Sequence, residues 1–211
     1  MTKIILARHG QSEANINLYF AGQYDAGLTE QGRLQAELLA NWVFENYKID
    51  KIYSSDLKRA YDTAVPLAEK CNLGIIKTSN FREIFAGDWQ AMPYDTIKNT
   101  YTEDWKVWLE DIGNSGCTNG ETVEELSKRV VKEITRIAKE NDGKTIFIAT
   151  HATPIRAIMT VFQKGNISFA REVDWTPNAS VTVCNFDDGN IEFELVGYND
   201  FLENLKSAFT S

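Results

Sequence analysis

A lysine and then an apolar run, KIILA over residues 3–7, stop at Arg8-His9-Gly10. A short greasy run closed by polar and turn residues is the pattern of a strand buried on both faces. Helical spacing follows over residues 29–46, where Leu34, Leu38, Leu39, Trp42 and Val43 fall on one face. Thr29 is placed to cap that helix, and Glu30 complements its N-terminal dipole. Residues 51–53 read as a second strand, and SSDLKRAYDTA then opens a helix that Pro66 is expected to kink or restart. A third strand is expected at residues 74–78.

Periodicity weakens over residues 81–119, which hold Phe81, Phe85, Trp89, Tyr94, Tyr101, Trp105 and Trp108. Short helices and loops are expected there, forming a candidate lid. Thr122-Val123-Glu124-Glu125 is a capping box. It starts a helix whose apolar face is Val123, Leu126, Val130, Val131, Ile134, Ile137 and Ala138. Residues 144–149 give a fourth strand, after which Thr153 reads as a cap with Pro154 at the first helical position. Residues 180–186 and 190–196 form a hairpin across Asp187-Asp188-Gly189. Strands alternating with helices predict an α/β fold: a mainly parallel sheet, helices on both faces, three layers, and a C-terminal hairpin. No repeat or linker divides the chain, so residues 1–211 are expected to form one domain.

Composition narrows the setting. Three cysteines, Cys71, Cys117 and Cys184, are odd in number and far apart, which suggests neither a disulfide framework nor a zinc ribbon. The N-terminal apolar run is too short for a signal peptide, and no stretch approaches the roughly 18 apolar residues of a membrane helix. A cytoplasmic protein is expected. A net charge of −8 argues against nucleic acid or an anionic membrane as partner. An anionic small molecule would need local counter-charge.

The chain has two histidines, and each directly follows a predicted strand: KIILARHG near the start and KTIFIATHA at residues 144–152. In parallel sheets ligands bind beyond the carboxyl ends of strands. Taken singly, each feature has a plainer reading. A lone histidine is most often a hydrogen-bonded core or surface residue, Gly10 could merely turn the chain, Arg59 could be a solvated charge, and the aromatics could be core. The combination of Arg8-His9, Arg59, Glu83 and His151 is far less expected by accident.

With these residues in view, the chain resembles the histidine phosphatase superfamily, in its phosphoglycerate mutase-like branch. ARHGQSEAN matches the RHG signature, and YSSDLKRAYDTA the block that carries its second arginine. FREIFAGDWQ matches the acidic block, and GETVEEL and IATHATPIRAI the last two. Ala152 departs from the glycine common after the second histidine, and Phe81 from a leucine. The resemblance implies a phosphoglycerate mutase-like fold. It implies His9 as nucleophile, Arg8, Arg59 and His151 around the transferring phosphoryl group, and Glu83 as proton donor and then base. It places Gln11, Asn15, Ala152 and backbone amides near Gly10 and Gly22 in the substrate cradle, with no cofactor and no metal. Two guanidiniums suit this work, because each offers a planar fork to phosphate oxygens.

The implied function is hydrolysis of a small phosphomonoester through phosphohistidine, with a phosphoglycerate mutase as the alternative. Residues 84–119 carry Lys98 and Lys106 against Asp88, Asp95, Glu103, Asp104, Glu110 and Asp111, a poor setting for a second phosphate and a reason to favour the hydrolase. A metallohydrolase lacks support, with no HxH or HExxH motif and an arginine beside His9. Intact His9 and Glu83 argue against a non-catalytic phosphate-binding regulator. Substrate identity stays open, as does the choice between monomer and homodimer.

Overall fold

A computed structural model describes residues 1–207. In chain order the elements are β1 (Thr2–Arg8), α1 (Glu13–Asn17), β2 (Tyr19–Phe20), α2 (Glu30–Asn46), β3 (Lys51–Ser55), α3 (Lys58–Cys71) and β4 (Ile75–Thr78). There follow β5 (Met92–Pro93), α4 (Tyr94–Thr100), α5 (Thr102–Glu110), α6 (Val123–Glu140), β6 (Thr145–Thr150), α7 (Ala152–Lys164), β7 (Val181–Asp187) and β8 (Asn190–Tyr198). The main sheet has the order β4-β3-β6-β1-β7-β8. β4, β3, β6 and β1 run parallel, and the β7–β8 hairpin adds antiparallel to β1. Asp188 and Gly189 close that hairpin with φ of 45° and 88°, the left-handed pair that a two-residue turn requires.

Alternation along β1 explains the layers. Ile4 and Leu6 pack on one face with α6 and α7, through Leu126, Val130, Ile134, Ile155 and Ile158. Ile5 and Ala7 pack on the other with α2 and α3, through Leu39, Val43, Ala64 and Leu67. A strand apolar on both sides can lie only between two helical layers, as the uninterrupted run at residues 3–7 predicts.

Three local expectations need correction. Leu34 is 49% exposed, because the buried stripe of α2 runs instead through Gly32, Gln35, Ala36, Leu39, Ala40 and Val43. Pro66 lies inside one continuous helix, α3. The carbonyl it deprives of a partner belongs to Asp62, a half-buried residue. α7 begins at Ala152 with His151 as its extended N-cap, so Thr153 is no cap and Pro154 is the third helical residue. Its missing N–H is one of the first-turn donors that have no acceptor within the helix.

Candidate active site

β1 and β6 are neighbours with Arg8 opposite Thr150, so the two histidines emerge side by side from adjacent strand ends. The His9 amide continues the ladder to the Thr150 carbonyl at 3.0 Å. Its own carbonyl accepts from the Ala179 amide at 3.1 Å and from Asn178 Nδ2 at 3.1 Å. The His9 ring sets its Nδ1 2.7 Å from the Gly10 carbonyl. A carbonyl only accepts, so Nδ1 carries the proton and Nε2 keeps its lone pair. Arg59 Nε donates to that Nε2 at 3.3 Å.

The His151 ring lies 5.2 Å from the His9 ring, at 61°. Its Nε2 is 2.9 Å from Ser55 Oγ at the end of β3. Ser55 Oγ accepts from the Leu57 amide and is assigned as the donor to His151 Nε2. This assignment leaves Nδ1–H of His151 as a buried donor with no partner among the described residues. Burial first, then the Arg59 and Arg8 guanidiniums, holds His9 well below the ordinary imidazole value of 6.5. Burial and Arg59 lead the same effect on His151. Both rings are therefore neutral near pH 7.

Arg8 and Arg59 are 4% and 1% exposed. Burial lowers each to about 10, opposed by Glu83, and both stay charged at neutral pH. Arg8 Nη1 donates to the Thr176 carbonyl at 2.6 Å. Arg59 Nη1 and Nη2 donate to the Tyr24 and Gly22 carbonyls at 2.9 and 2.8 Å. Asp25 Oδ1 accepts from the Lys58 amide and so fixes the start of α3, which carries Arg59. Thr63, one turn on, accepts the Gly10 amide at 3.0 Å and ties α3 to the RHG loop.

Glu83 reaches the site on a loop that is fastened at several points. Its Oε1 accepts from the Ile84 amide at 2.8 Å, and its Oε2 from the Thr153 amide in the first turn of α7 at 3.3 Å. Arg129 pairs with Glu121 and donates to the carbonyls of Asn80, Arg82 and Glu83. Thr150 Oγ1 donates to the Phe81 carbonyl at 2.8 Å, binding the loop to β6. Phe81 is fully buried, so the departure from leucine there is a matter of packing.

One cleft of roughly 570 Å³, open mouth included, collects most of the predicted residues. Arg8, His9, Asn15, Gly22, Arg59 and Glu83 line it, as does Ala152. His151 lies beside His9, fully buried, and is not in the lining. Gln11 does not join them. Its side chain bonds Thr29 Oγ1 and Ser207 Oγ, because the chain alternates direction on leaving β1. The Gly10 and Gln11 amides are also engaged elsewhere, by Thr63 and Gln35. Asn15 uses its Oδ1 to accept from the Ser12 amide and from Asn178, which makes it a brace as well as a wall.

The pattern missed Ser12, Thr153, Tyr19, Phe20 and Trp175 in the lining. It also missed the segment 175–180 (WTPNAS), which holds Arg8, His9 and Asn15 at once. The turn residues Pro177 and Asn178 were its one available signal. Tyr94 and Trp108 line the cleft, whereas Trp89 is core.

A model of the histidine phosphatase superfamily (branch 1) matches residues 4–200. The chain belongs to the histidine phosphatase superfamily. This histidine phosphatase is 35% identical over 158 residues to phosphoserine phosphatase 1 of Hydrogenobacter thermophilus, covering 75% of this chain and 74% of that one. It is 32% identical to phosphoglycerate mutase-like protein 4 of Arabidopsis thaliana, over 89% of this chain and 81% of the other. Its fold superposes with a TM-score of 0.82 on the crystal structure of a histidine-to-alanine mutant of Entamoeba histolytica phosphoserine phosphatase in complex with phosphoserine. Identity there is 26%, covering 96% of this chain and all of the other. The phosphoglycerate mutase-like architecture read from the sequence is the one found.

Proposed function

We propose that this enzyme hydrolyses small phosphomonoesters in two steps, with His9 Nε2 as the transient phosphoryl carrier. The observation that carries this is the locked ring. Nδ1–H points to the Gly10 carbonyl, and the Nε2 lone pair is left beside Arg59. In the first step Nε2 bonds to phosphorus and the ester P–O bond breaks. The departing oxygen takes a proton from the Glu83 carboxyl group. In the second step Glu83 takes a proton from water, the water oxygen bonds to phosphorus, and the P–N bond breaks to restore neutral His9. Arg8, Arg59 and the Nδ1–H of His151 stabilise charge on the equatorial oxygens.

The lining supports hydrolysis over the mutase alternative. Among the described residues its cations are Arg8 and Arg59, both acting on His9. Lys98 and Lys106 are exposed and outside the cleft, so among the described residues the lining offers no further cation to a second phosphate. The names of the relatives bring phosphoserine and similar small metabolites into the candidate substrate set.

The test is a quench with labelled phosphomonoester. Wild type should hold acid-labile, alkali-stable phosphate, and His9→Ala should hold none while remaining folded. Label retained in the mutant would overturn the assignment.

A further inference from the structure

We infer, on the hydrolase reading above, that the cleft selects a leaving group that is uncharged and apolar, of the benzyl type, over one that carries a carboxylate. Beside the charged groups and the neutral polar Ser12, Asn15 and Thr153, the lining holds five aromatic residues, Tyr19, Phe20, Tyr94, Trp108 and Trp175. The charged lining residues are Arg8, Arg59 and Glu83 alone. Both arginines act electrostatically on His9, and Glu83 acts on both arginines, so these charges are grouped around the transferring phosphoryl. A carboxylate on the leaving group would be set mainly against aromatic rings, since both lining arginines are taken up by the phosphoryl group. Burying it there forfeits hydration that no paired cation replaces. A flat hydrocarbon loses nothing and gains contact area.

The wall is also braced. Phe20 meets Trp108 at 5.3 Å and 74°, and Tyr94 at 6.2 Å and 83°, both edge-to-face. These rings hold one another in place, so little ordering is left for the ligand to impose. Aromatic walls can also attract quaternary ammonium groups. Here the Arg156 guanidinium already lies 4.2 Å over the Trp175 ring, and its Nε is anchored on the Ala170 carbonyl. A second cation at Trp175 would meet like charge, which favours a neutral occupant.

The experiment compares kcat/KM for benzyl phosphate, phosphoserine, 3-phosphoglycerate and phosphocholine. All four expel alkoxides, so the comparison reports recognition more than leaving-group basicity. Benzyl phosphate should exceed each of the others by about tenfold or more, the scale of one added apolar contact in a pocket. Tyr19→Arg, at a half-buried position that tolerates a long side chain, should shift the phosphoserine-to-benzyl ratio at least about tenfold towards phosphoserine. Phosphoserine, 3-phosphoglycerate or phosphocholine matching benzyl phosphate would overturn the inference, as would an unchanged ratio in Tyr19→Arg. Folded enzyme that turns over none of the four would overturn the hydrolase reading itself.

Discussion

Gly32, in the first turn of α2, is expected to be as necessary to catalysis as residues that line the cleft. A Cβ built on it would lie 2.0 Å from the Gln11 carbonyl oxygen, and one on Gly10 would lie 2.5 Å from the Gly32 oxygen. Ordinary contact begins at 3.4 Å, so Gly32→Ala must open the crossing by 3.4 − 2.0 = 1.4 Å. Both partners are backbone, and no side chain can swing aside. α2 is held by its Thr29 cap and its buried stripe, so the Gly10–Gln11 loop is the part that yields. That loop carries the carbonyl that fixes the His9 tautomer. A displacement on the order of 1 Å at a reacting group costs about a hundredfold in rate. Overpacking of this kind costs about 1–3 kcal/mol of stability, hence a melting temperature lower by a few degrees per kcal/mol. The assay is kcat/KM with a thermal melt, and Gly74→Ala is the control, since nothing lies within 4 Å of its Cβ. A folded Gly32→Ala enzyme within about threefold of wild type would refute the steric reasoning.

Two further outcomes are expected. Glu83→Gln should slow phosphohistidine formation by about a hundredfold or more with an alkyl ester but only slightly with a nitrophenyl ester. The aryl ester should give a phenol burst in stopped flow, and equal slowing with both esters would remove Glu83 as the acid. The depressed imidazoles set a pH window. Between their native values and 6.5 the unfolded chain binds more protons, so stability is complete above 6.5 and declines as pH falls below it. With two histidines in the chain, NMR titration needs only His9→Ala to assign both signals, and a native midpoint at or above 6.5 would contradict the burial argument.

What could be read from the sequence was whatever repeats or stops sharply. The run before Arg8, the Thr122 capping box and the Asp188-Gly189 turn all carry a local physical signature, and each is where it was expected. The residues that border His9 were legible for the same reason, since they stand at strand ends or helix starts. What escaped was set by tertiary contact. Asn178 matters because its side chain reaches the His9 carbonyl across 169 residues of chain. Gln11 looks like a ligand until Thr29 and Ser207 claim its amide. Pro66 lies inside one continuous helix whose residue four positions back, Asp62, is only half-buried, a matter of facing that periodicity resolves only coarsely.

The arginines around this site show how the fold separates scaffold from charge. Arg82 grips Asp56 through two nitrogens at 2.7 and 2.6 Å, and that contact raises its pKa. Arg129 grips Glu121 in the same two-pronged way. In each case the carboxylate cancels the charge, and what remains is a clamp on the Glu83 loop. Arg59 is treated differently: its nitrogens go to two carbonyls and to neutral His9, and burial pushes its pKa down to about 10. A carbonyl orients a guanidinium without neutralising it, so the positive charge stays available to whatever enters the cleft. This also reconciles a cationic pocket with a net charge of −8. Surface carboxylates are screened within about 8 Å at physiological salt, while a desolvated guanidinium in contact with a phosphoryl oxygen is not. On the hydrolase reading proposed above, an incoming phosphate would meet in Arg59 a guanidinium oriented by carbonyls and not gripped by a carboxylate.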